Sequence, residues 1–252
     1  MRTLLILATA VMSGLVAAPA GAASFTPFDQ FVFLHIGAGG GGASPLVFDA
    51  TSGGYTEALD ADGYGSYGWR IANTTATTWA DVSLIFYLDA DFGPGGYSNE
   101  TAAFVGLDLP GGVPADAIAP DQWEIDEPGW VFGNIYDNAA YAGVLDDSDG
   151  IPPGQGEDVA LALGWSLPAL APGEQVWLTM HHVTAATTGL AQFDPAGPDA
   201  AYVWGFARVI PADPDPDPDP PGVPEPSTLV LGGFGALAMA RRARSRAREV
   251  RQ

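Results

Sequence analysis

The sequence predicts an all-β domain, an antiparallel β-sandwich of the immunoglobulin-like or jelly-roll-like kind. Short β-prone runs alternate with turn signals, and the chain holds 33 glycines and 22 prolines. No apolar period of 3.6 residues appears outside the two termini. Cysteine is absent, so a hydrophobic core must hold the fold without disulfides. About 190 residues between the terminal segments suffice for one such core.

The elements follow in chain order. The run 31–36 reads as a buried strand, and 46–48 as a short second one. A third strand is expected at 66–73, and the strongly β-prone run 82–88 makes a fourth. Asp and Gly crowd 89–99, which predicts a loop. A strand is expected at 130–136, then a long acidic loop at 146–158. Strands at 159–165 and 175–183 flank a turn built on Pro172-Gly173, and a last strand covers 202–208. The β-sandwich domain is thus read as residues 23–210.

Both ends carry export signals. Arg2 precedes an apolar run over 4–16, and Ala20-Gly21-Ala22 is a small-residue cleavage site, the pattern of a secretory signal peptide over residues 1–22. Cleavage after Ala22 or Ala23 implies the Sec translocon and signal peptidase as partners. Residues 211–222 alternate Asp with Pro. Proline at every second place favours polyproline II, and like charges extend it, giving a linker of about 37 Å. Beyond it, Pro224-Glu225-Pro226 resists helix formation, and an apolar run follows over 228–240. Arg241, Arg242, Arg244 and Arg246 open a basic end that acts as a membrane stop on the cytoplasmic side. As a helix, 227–240 would span about 21 Å against a hydrocarbon core near 30 Å, a deficit that snorkelling arginines can cover.

This motif, helix and basic end over 223–252 resemble the C-terminal sorting signal of bacterial PEP-CTERM proteins. The resemblance implies recognition at Pro224, Glu225 and Pro226 by an exosortase-type membrane protease. It also implies a transient anchor, followed by release to the cell surface or extracellular matrix of a Gram-negative-type bacterium, and an association with exopolysaccharide and biofilm. Two internal stretches, 69–84 and 170–178, are similar to a strand–turn–strand unit and a Pro-Gly-Glu turn of immunoglobulin-like bacterial surface domains.

Charge narrows the partners. No lysine occurs, and between Ala23 and Ala240 only Arg70 and Arg208 face 29 acids, a formal charge of −27. Such a field repels nucleic acid and anionic membrane while favouring cations. The G-x-G-x-x-G match at Gly37–Gly42 leads into another β-like run, where a dinucleotide site requires a helix; it reads as a strand connector. His181 and His182 alternate across a strand and face opposite sides, so they cannot share a metal readily. With His35 the one remaining histidine, a zinc or copper centre lacks ligands. No G-x-S-x-G elbow is present, and catalysis is the least supported class.

Two ligand classes remain. The D-x-D-G turns at Asp60–Gly63 and Asp147–Gly150 suit calcium, although the second cannot be an EF-hand, because Leu145 and Gly156 would occupy its first and twelfth places. A sandwich-loop calcium site would use Asp146, Asp147, Asp149, Glu157 and Asp158; the competing reading is solvated turns. Seven tryptophans invite sugar stacking. Trp69, Trp165, Trp177 and Trp204 lie in strand patterns, where core packing is expected, so Trp79, Trp123 and Trp130 are the sugar candidates. The expected function is a non-catalytic, sorted, exported protein with a structural or binding role in the envelope or matrix. The alternative is a secreted carbohydrate-binding module or glycan-acting hydrolase using the same export route.

Overall fold

The structure is a computed structural model that describes residues 25–37, 45–61, 63–92, 100–128, 133–151, 158–193 and 200–212. The chain divides into two units, Met1–Ala212 and Asp213–Gln252. The second unit, with the linker from residue 213 and the whole sorting tail, lies outside the described residues, as does the leader.

The first unit is an all-β sandwich of two six-stranded sheets. Sheet one runs β2 (Leu46–Phe48), β1 (Phe25–Ile36), β5 (Val82–Phe92), β9 (Ala160–Leu167), β7 (Gln122–Asp126) and β8 (Ser148–Asp149). Sheet two runs β3 (Thr56–Leu59), β4 (Gly65–Ala72), β10 (Gln175–Val183), β12 (Ala200–Ile210), β11 (Gly189–Phe193) and β6 (Thr101–Gly106). Pairing is antiparallel except between β7 and β8. Short strands close both edges of sheet one, with three residues in β2 and two in β8, which limits the unpaired backbone open to another chain.

The main core lies between the sheets. Val82, Leu84, Phe86, Leu88 and Ala90 of β5 face Trp69, Ile71, Val176, Leu178 and Val203 of sheet two there. The opposite face of β5 is also covered. Ile85 and Tyr87 pack with Phe33, Ala160 and Ala162 beneath Ile135, Ala139 and Ala140. An unbroken apolar run is what burial on both faces demands of a strand, and 84–88 supplies it.

The covering segment corrects the strand expected at 130–136. Ile135–Asp137 is a helical turn, α1, that runs into a π-helical turn over Asn138–Ala142. Alanine-rich composition favours helix here. Gly143, at φ +70°, ends it by donating to the Asn138 carbonyl at 2.8 Å, a left-handed stop that glycine adopts without strain. Residues 129–132 lie outside the described ones. The loop expected at 89–99 is corrected in part, because β5 continues through Phe92. Strands β3, β6, β7, β8 and β11 had no counterpart in the sequence reading.

The stretch 69–84 does not form a hairpin, since β4 and β5 belong to different sheets. Its crossing is pinned by Asn73, which is fully buried. Asn73 Nδ2 donates to the carbonyls of Thr77 and Leu170, each at 2.9 Å. Its Oδ1 accepts from Thr75 N at 3.0 Å and Thr75 Oγ at 2.7 Å. The Asn73 backbone N–H donates to Glu174 O at 2.9 Å, while its carbonyl accepts from Gly173 N at 2.8 Å. One side chain thereby ties the inter-sheet crossing to the turn that starts β10. Asn73→Ala removes these four side-chain hydrogen bonds at a fully buried position and is expected to cost about 2–4 kcal/mol in urea unfolding. A loss below about 0.5 kcal/mol, the scale of a neutral surface change, would contradict this role.

Candidate functional site

Two places in the sandwich carry chemistry. The first is a knot of acids where the two sheets meet at one end. Asp91 closes β5, Glu100 stands just before β6, and Asp158 stands just before β9. One carboxylate oxygen from each lies within 4.8 Å of the others. Glu100 is fully buried. Its Oε1 accepts from Phe92 N at 3.1 Å, and its Oε2 accepts from Gln192 Nε2 at 2.6 Å. Gln192, on β11, is also fully buried and donates to Ala90 O at 2.5 Å, which links sheet two to sheet one.

No base answers these acids among the described residues. Arg208 pairs with Asp116 at 2.8 Å, and Arg70 lies 4.2 Å from the ring centre of Trp177. Burial raises every carboxyl in the group, because a charge taken from water loses hydration. Burial, then Asp158, Asp91 and Asp29, push Asp89 up to about 7. Burial also lifts Glu100 to about 8, against its two hydrogen bonds and with Asp91 and Asp158 adding repulsion. Asp158 rises to about 6 through burial and then Asp91; Asp91 rises through burial alone.

The second place is the outer face of sheet two. Along β10, Val176, Leu178, Met180 and His182 point inward, so Trp177, Thr179 and His181 point outward. His181 stacks on Trp204 with centroids 4.1 Å apart and planes at 22°, and Phe206 continues the row 6.2 Å from His181. At the far end Arg70 covers Trp177. A shallow groove of about 250 Å³ runs along this face past Glu57, Ser66, Gly68, Trp177 and Thr179.

Sequence-derived candidates fare unevenly. Asp146, Asp147 and Asp149 do not join Asp158 in a cluster; they tie their loop to β7 and to Asn134. Asp147 Oδ1 accepts from Trp123 N at 2.9 Å, Asp149 Oδ1 from Ile151 N at 3.0 Å, and Asp146 Oδ2 from Asn134 Nδ2 at 3.1 Å. Glu157 and Trp130 lie outside the described residues. Trp79 is buried in the main core and bridges Leu170 through its backbone, so it offers no face to a sugar. Trp123 lies in β7, and Phe104 stacks on it at 4.3 Å. Trp69 and Trp165 are buried, as expected. Trp177 and Trp204, assigned by sequence to the core, face outward. The two adjacent histidines do point to opposite sides: His182 is buried against Tyr67 Oη at 2.6 Å, and burial lowers it to about 3.

The tail supplies the identification. Residues 222–245 match the PEP-CTERM protein-sorting motif, a stretch holding Pro224, Glu225, Pro226, Arg241, Arg242 and Arg244; Arg246 falls just beyond it. This is an exported protein sorted through an exosortase, and that membrane protease is its processing partner. Among the described residues no helix is long and apolar enough to cross a membrane; the apolar run 228–240 lies outside them. Comparison with curated proteins and with solved structures gave no match.

The raised acids dictate a pH dependence. Their folded values exceed those of the unfolded chain, so the stabilising effect of protonation is complete below about pH 4 and lost as pH rises through about 6 to 8. In chelator-treated buffer the melting temperature is expected to fall steadily from about pH 5 to pH 8. A rise over that range would refute the environment described for these carboxyls.

Proposed function

We propose that the sandwich is a non-catalytic domain delivered to the cell surface or extracellular matrix, where it has a structural or binding role. The observation that carries this reading is the sorting motif at 222–245. An exosortase acting near Pro224-Glu225-Pro226 removes the apolar run and the arginines, and signal peptidase removes residues 1–22. The released protein is then strongly acidic, since its basic residues lie mostly in the discarded ends. Such a charge keeps it soluble and apart from anionic membrane. Intact mass of the protein from its native host tests this directly. The expected species lacks residues 1–22 and 241–252; a mature form that keeps Arg241 to Gln252 would sink the proposal.

A second reading, carbohydrate binding, is favoured by the outer face of sheet two. Trp204 pairs with His181, four residues along β10 from Trp177, which sets the two tryptophans about 14 Å apart once the spacing between strands is included. Both indoles are partly exposed; Arg70 takes one face of Trp177 and His181 one face of Trp204, and the apolar surface that remains beside polar neighbours suits a neutral glycan chain. Trp177→Ala and Trp204→Ala are expected to weaken retention on matrix polysaccharide at least tenfold while leaving the melting temperature within about 2 °C, since neither ring belongs to the core. Unchanged retention in both variants would exclude this face.

A further inference from the structure

We propose that Asp91, Glu100 and Asp158, joined by the side-chain carbonyl of Gln192, form a calcium-binding site that ties the two sheets together at one end of the sandwich. The three carboxylates alone would not carry this, because acids gather in many solvated loops. Gln192 is the independent observation. It is fully buried, and its Oε1 has no hydrogen-bond partner. The amide cannot be turned to relieve that atom, because its nitrogen is committed to two acceptors, Ala90 O at 2.5 Å and Glu100 Oε2 at 2.6 Å. Oε1 shares a carbon with that nitrogen and so lies within about 5 Å of Glu100 Oε2. An acceptor left unpaired in the interior is costly, and it is the kind of oxygen a cation takes. Asp158 Oδ1 is a second buried acceptor without a partner.

Distance and donor type select the ion. Calcium–oxygen bonds of about 2.3–2.6 Å allow two ligands at most about 5 Å apart, and the carboxylate oxygens lie within 4.8 Å of one another. The donor set is all oxygen, with neither imidazole nor thiolate, which suits a hard cation. No arginine among the described residues neutralises the group, since Arg70 and Arg208 are engaged elsewhere. The ligands also come from both layers: Asp91 and Asp158 adjoin β5 and β9 of sheet one, while Glu100 and Gln192 belong to the β6 and β11 side of sheet two. A bound ion would therefore resist separation of the sheets, and an exported protein meets calcium at the concentrations such sites use, about 10⁻⁴–10⁻³ M.

The test is calorimetric titration of the chelator-treated full chain with calcium chloride, and separately magnesium chloride, paired with thermal melts. One calcium per chain is expected, with melting raised by about 5–10 °C at a hundred times the dissociation constant and a smaller rise with magnesium. Asp91→Asn and Glu100→Gln should each abolish the calcium-dependent rise. Asp91→Asn should keep a cooperative melt in chelator, because it relieves the repulsion that Asp91 exerts on Glu100 and Asp158; Glu100→Gln sets an amide donor against Phe92 N or Gln192 Nε2, so the Asp91 variant carries the test if that one fails to fold. Asp146→Asn with Asp149→Asn should leave the rise intact. The proposal is overturned by the absence of calcium heat, by equal effects of magnesium, or by a calcium response that survives Asp91→Asn and Glu100→Gln. Loss of the response in the Asp146, Asp149 variant would move the site to that loop and overturn it as well.

Discussion

Strand β5 is buried on both of its faces, and the rest of the sandwich is arranged to keep it so. One face meets the inner side of sheet two; the other meets the short helical segment that starts at Ile135. A strand in this position cannot carry the polar half of an ordinary alternating pattern. Once it is fixed, β1 and β9 pair along its two edges, and their own double-sided apolar content follows. The covering segment is in turn tethered from below, with Asn138 Nδ2 donating to both oxygens of the buried Glu124 at 3.0 Å. Layers, edges and helical lid thus follow from a single requirement for water exclusion.

Fold class and the central strands were legible because their signals are local. Residues 82–88 and 175–183 announce themselves by β-branched and aromatic content, and β10 occupies the span read for it. The helical segment was missed although its Ala-rich run and closing Gly143 were visible; the two short turns over Ile135–Asp137 and Asn138–Ala142 are too short for a periodic signal. The tryptophans teach a similar lesson. Parity within β10 groups Trp177 with Gln175, Thr179 and His181, against Val176, Leu178 and Met180, so its outward direction could have been read from alternation alone. Assigning it to the core because it lies in a strand ignored that every strand has two faces. Trp79 failed for the opposite reason: it sits in a crossing segment that Asn73 draws into the interior, and nothing near it in sequence marks that contact.

The acid cluster was illegible for a deeper reason. Asp158 and Gln192 lie far along the chain from Asp91 and Glu100 and from each other, and only strand order and register bring the four to one end of the sandwich. Local D-x-D-G spacing drew attention instead to Asp147 and Asp149, whose carboxylates are spent on the backbone amides of Trp123 in β7 and of nearby Ile151. Only Asp158 is common to the two sets. The sorting motif, by contrast, was legible as a linear segment, and its match covers 222–245. The two units therefore ask different questions of the sequence: the tail's meaning lies in order along the chain, the domain's in contacts across it.

The dependence of the fold on β5 is open to native-state hydrogen exchange followed by mass spectrometry. Amides of β5 and β9 should exchange only through global unfolding, at the slowest rates in the molecule, while those of the edge strands β3 and β6 exchange through local opening. Exchange in β5 as fast as in β3 would contradict an architecture organised around a strand buried on both faces.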